Sequence, residues 1–110
     1  TSPQIQNAAG YDINYVLNKG QLPLTKAAYI YEEESGRSIT LKTTQPCLQF
    51  YTGNNLSGTP NRQGAPLPKY AGFCLEQQDF PNGPNVVHFP TTPLAAGQEY
   101  SQRTEYHFTF

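Results

Sequence analysis

Ten prolines and nine glycines are spread through this chain of 110 residues, and they decide most of what it can become. Proline removes a backbone donor and blocks helix interiors, and glycine weakens any helix it enters. Between them they leave no uninterrupted window in which apolar residues recur at helical spacing, so strands are the default. Six segments qualify. Residues 11–17, YDINYVL, alternate, with Tyr11, Ile13, Tyr15 and Leu17 on one side. Residues 26–31 and 37–43 flank the acidic turn EEESG and predict a hairpin. In PCLQFYTG, Leu48 and Phe50 oppose Cys47, Gln49 and Tyr51; in GFCLEQQ, Phe73 and Leu75 oppose Cys74 and Glu76. The run from Tyr100 to Phe110 puts Tyr106, Phe108 and Phe110 on one face and predicts a half-buried strand. Residues 54–70 and 79–98, rich in Asn, Gly and Pro, read as loops.

This pattern predicts an all-β domain with one core. Six strands do not close a large sandwich, so edges stay bare unless more chain or a partner covers them. A formal net charge of -1, with 14% charged residues, offers no basic field for a phosphate backbone or an anionic bilayer. Nucleic acid is therefore not an expected partner. No run approaches the ~18–20 apolar residues that span a bilayer, so neither is a membrane. Two cysteines at wide spacing match no zinc-ligand pair, and there is no phosphate loop, nucleophile elbow or histidine-rich metal motif.

Three polar residues stand out as candidates. Glu76 lies among Phe73, Cys74 and Leu75, and the ordinary reading is a solvated or ion-paired strand carboxylate. Gln49, two residues after a cysteine as Glu76 is, has an amide that both donates to and accepts from hydroxyls. Asp12 is a further acceptor, in a place where Asp more often starts a turn. Eight Tyr and six Phe suit sugar stacking but more often fill a β core. His88, in a proline-rich loop, and His107, on the polar side of the last strand, read as structural. The residues alone thus lead to a β domain with a polar cluster suited to hydroxyls.

The strings GYDINYVLN, TTQPCLQFYTGNNLSG and AGFCLEQQDFPNGPN, in this order and spacing, closely resemble the C-terminal third of the aldose 1-epimerases, the galactose mutarotases. The lead-in PLAAGQEY to the last strand fits the same pattern. The resemblance implies that residues 1–110 form the C-terminal segment of one large, mostly antiparallel β-sandwich, the galactose mutarotase-like supersandwich. It implies an isomerase that interconverts the α and β anomers of free hexoses such as galactose and glucose. Glu76 falls on the family's general base, and Asp12 and Gln49 fall on sugar-binding positions. An apolar wall around Glu76 would desolvate the carboxylate and favour its taking a proton. No metal or organic cofactor is implied, since only protons move. The family's acid histidine belongs to a part of the fold outside these residues, so the missing N-terminal part is an implied partner. The 110 residues alone are expected to be inactive. Ile13, Cys47 and Gln77 depart from the family's usual His, Gly and Thr. The alternatives are a non-catalytic sugar-binding module of the same family and a relative acting on a hexose phosphate. For the latter, Arg37, Arg62, Lys69 and Arg103 are too scattered to form a phosphate site.

Two features bear on compartment. Asn55-Leu56-Ser57 fits the N-glycosylation pattern. Cys47 and Cys74 would approach each other if their strands are neighbours, and a bond between them would, with the sequon, lean toward a secreted rather than a cytoplasmic protein.

Overall fold

The alternating segments pair as strands, and the proline-rich stretches join them. The computed structural model describes residues 2–91 and 93–110. Among these are β1 (Asp12–Val16), β2 (Thr25–Tyr31), β3 (Ser38–Thr43), β4 (Cys47–Tyr51), β5 (Cys74–Gln78) and β6 (Thr104–Thr109). They form two three-stranded sheets, ordered β1-β4-β5 and β2-β3-β6. The all-β expectation therefore holds. The chain divides into two compact units, one of residues 1–15 with 49–76 and the other of residues 16–48 with 77–110.

In the second unit β2 and β3 make the expected antiparallel hairpin, in register from Thr25 opposite Thr43 to Tyr31 opposite Ser38, with a bulge between Lys26 and Ala28. The turn closes through Glu32, whose amide donates to Arg37 O at 2.9 Å and whose carbonyl accepts from the Gly36 amide at 3.0 Å. β6 pairs with the other edge of β3, Ser38 opposite Thr109 and Thr43 opposite Thr104. Because β3 is central, its residues are enclosed from both sides. Leu41, flanked by Ala28 and Tyr106, is wholly buried, as is Thr43. Lys19 donates to the carbonyls of Thr43 at 2.7 Å and Pro23 at 3.0 Å, and burial lowers the pKa of its ammonium.

In the first unit Asp12–Tyr15, Gln49–Tyr51 and Cys74–Glu76 contribute their parts of the β1-β4-β5 sheet. The rings of Tyr11 and Phe50 pack at 5.2 Å. The long connection from β4 to β5 is itself organised as a narrow antiparallel ribbon, with Pro60 bridged to Pro66.

Four expectations change. A five-residue helix, α1 (Pro3–Asn7), precedes β1. Proline suits the first helical position, and a single turn is too short to leave a periodic trace. Among the described residues of 79–98 there is a 3-10 turn, Gly83–Asn85. The last strand starts at Thr104 rather than Tyr100, and its apolar face is open: Tyr106 is 50% exposed and Phe108 58%. β6 pairs with β3 within the sheet, and in-sheet pairing covers a strand's edge rather than its face, which only a second packed surface can bury. Finally, the cysteine pair is not formed. Cys47 is a buried free thiol and Cys74 an exposed free thiol.

Candidate active site

All three candidate residues fall in the first unit. Asp12 opens β1, an edge strand, and Gln49 is the middle residue of β4, the central strand of the same sheet. Gln49 Nε2 donates to Asp12 Oδ1 at 2.7 Å. An ionised carboxylate only accepts, so the amide must turn its nitrogen toward it. That leaves the amide oxygen, one amide hydrogen and the second carboxylate oxygen unused by the pair. Asp12 is exposed and Gln49 half-buried. The pair thus presents both donors and acceptors to a solute, as recognition of a polyhydroxylated ring demands.

Glu76 is the middle residue of β5, the strand that borders β4 on its other side. Gly53, two residues beyond β4, sets the closeness of that approach. Its φ is +70° and a Cβ there would lie 2.6 Å from the carbonyl oxygen of Gly72, two residues before β5. Only glycine permits both conditions. Its carbonyl also accepts from the Tyr70 amide at 3.1 Å. β4 and β5 are hydrogen-bonded neighbours, so Gln49 and Glu76 stand on adjacent strands of one sheet. The apolar wall expected around Glu76 is not formed, since Glu76 and Cys74 are exposed and Phe73 is 47% exposed. β5 lies at the edge of its sheet, so only one flank is covered.

The histidines have other contacts. His88 meets Phe89 edge-on with ring centroids 4.8 Å apart, and His107 Nε2 lies 3.2 Å from a Glu105 carboxylate oxygen.

The aldose 1-epimerase family description matches residues 1–107. The chain belongs to the aldose 1-epimerase family. It is 44% identical over 101 residues to the galactose mutarotase of Bos taurus and 43% to that of Homo sapiens, in each case across 91% of this chain. It is 37% identical to the aldose 1-epimerase of Escherichia coli (strain K12), across 90% of the chain. In each comparison the matched part is 29% of the relative's own length. Within this aldose 1-epimerase chain, reading residues 54–70 as an ordinary loop overlooks Asn54. That side chain is 5% exposed and hydrogen-bonded to the segment leading into Asp12. The available signal is its position directly after Gly53, where the chain turns sharply.

Proposed function

We propose that this chain carries the base and part of the sugar-binding surface of an aldose 1-epimerase acting on free hexoses such as galactose and glucose. The observation that carries the reading is the Gln49–Asp12 hydrogen bond on strands sheeted with the one that bears Glu76. Family membership supplies the reaction class.

In this reading Glu76 takes the proton of the anomeric hydroxyl. The oxygen's electrons form the aldehyde carbonyl as the bond from the anomeric carbon to the ring oxygen breaks, and an acid from the remainder of the enzyme protonates that oxygen. Rotation of the aldehyde and reversal of the same transfers deliver the other anomer. Asp12 accepts hydrogen bonds from ring hydroxyls, and Gln49 donates and accepts. The substrate and the rest of the sandwich would close over Glu76 and desolvate it, strengthening its contact with the hydroxyl proton.

The test is Glu76→Gln in the complete protein, followed by polarimetry of freshly dissolved α-glucose. The expected loss is about two to four orders of magnitude in rate, the usual worth of a positioned base. A variant within a few-fold of the parent would remove Glu76 from the mechanism. A complete parent protein that binds galactose without speeding mutarotation would be a sugar-binding module instead.

A further inference from the structure

We propose that Asn54 is a positioning residue, which sets the place of Asp12 by clamping the backbone just before it. The inference rests on the reading of Asp12 as a sugar-binding group. Asp12 itself is exposed and begins an edge strand, so apart from its bond to Gln49 its own surroundings do little to hold it. The preceding segment is held tightly. Asn54 Nδ2 donates to the carbonyls of Ala8 and Tyr11, both at 3.0 Å, while its Oδ1 accepts from Thr52 Oγ1 at 2.7 Å. The Tyr11 amide donates to Thr52 Oγ1 at 2.9 Å, and the Thr52 amide returns a bond to Tyr11 O at 3.0 Å. Tyr70 OH donates to Ala9 O at 2.5 Å.

Between these anchors Gly10 adopts a φ of +147°, and a Cβ there would sit 2.2 Å from Asn54 Oδ1. The backbone therefore passes directly over the buried amide, and the next residue but one is Asp12. A buried amide with three polar partners is costly to disturb, because any partner lost leaves an unsatisfied group. The clamp uses the end of β4 to fix the start of β1, the two strands that the Gln49–Asp12 bond joins.

The test compares variants of the complete protein by polarimetric kinetics on galactose. Asn54→Asp keeps the shape and the acceptor but loses both donors. Its KM should rise about tenfold, with kcat within about threefold, as expected when binding shared by ground and transition states is lost with roughly one hydrogen bond. Thr52→Val, which removes the acceptor for the Tyr11 amide, should act the same way, and Thr52→Ser should restore the parent KM. In an Asp12→Ala background the Asn54→Asp effect should shrink below about twofold, because it acts through Asp12. A lower melting temperature with KM unchanged in both the Asn54 and Thr52 variants would reduce the clamp to a structural role and overturn the proposal. So would an effect of undiminished size in the Asp12→Ala background. If Asp12→Ala alone leaves KM unchanged, the sugar-binding reading of Asp12 falls and this inference falls with it. If Asp12→Ala raises KM while the clamp variants do not, this inference alone is wrong.

Discussion

Gln49 and Asp12 form a charge-assisted hydrogen bond in the open, where water competes for every partner and the net contribution to stability is small. The pair is better understood as pre-aligned than as stabilising: the sugar would replace water around groups that already face each other. Glu105 illustrates the same limit away from the site. It lies 2.5 Å from Arg103 and 3.2 Å from His107. The hydrogen bond to His107 and, after it, the charge of Arg103 hold its carboxyl below the usual glutamate range. A depressed folded value means stability that is present above the unfolded value and lost as pH falls through the folded one. Glu105→Gln should therefore match the parent in strong acid and be slightly less stable above the ordinary glutamate range of about 4.3. Urea midpoints measured across that range would check it, and a difference that persists unchanged into strong acid would count against the ion pairs. Neither contact is visible as such in the sequence, although strand alternation puts Arg103, Glu105 and His107 on one face.

At the scale of elements, the hydrogen-bonded turn of β2 and β3 and the close approach of β4 and β5 set which side chains meet. Alternation predicts which residues share a face, but it says nothing of which strand lies beside which. Gly53 offers a direct probe of the second approach. Gly53→Ala would carry both the strain of φ +70° and a collision with the Gly72 carbonyl at 2.6 Å. Gly58→Ala would carry a comparable strain at φ +84° with nothing within 4 Å of the new methyl. The expected cost is about 1–2 kcal/mol for Gly58→Ala from the left-handed backbone alone. A further 1–3 kcal/mol, roughly the cost of overpacking, is expected for Gly53→Ala. Denaturant midpoints of the two variants check this, and equal losses would mean that β4 and β5 do not approach as described. The same approach belongs to the neighbouring strands that carry Gln49 and Glu76, so equal losses would weaken the site geometry as well.

At the scale of the whole molecule, few apolar side chains are enclosed. The apolar side chains buried among the described residues are Leu41, Cys47 and Leu48, while Tyr29, Tyr106, Phe108 and Phe110 are half or more exposed. Such surfaces associate. The 110-residue chain produced alone should elute from gel filtration as an oligomer or aggregate and show no measurable mutarotation. A monomeric peak with mutarotase activity would contradict both halves and require an acid from within this sequence.

Proline and glycine spacing, alternation and three quoted strings were enough, without coordinates, to establish an all-β chain, its six strands and its kinship with aldose 1-epimerases. These are local properties: backbone freedom and side-chain alternation are set by each residue and its neighbours. The pairing of Gln49 with Asp12, the burial of Asn54 and the separate environments of Cys47 and Cys74 were decided only by tertiary structure. Each depends on which strands become neighbours and on what covers them, and those are relations between residues far apart in the chain. The exposed face of β6 shows the difference most simply. Its alternation marks Tyr106 and Phe108 for burial, but burial requires a second surface, and a strand's own sequence cannot supply one.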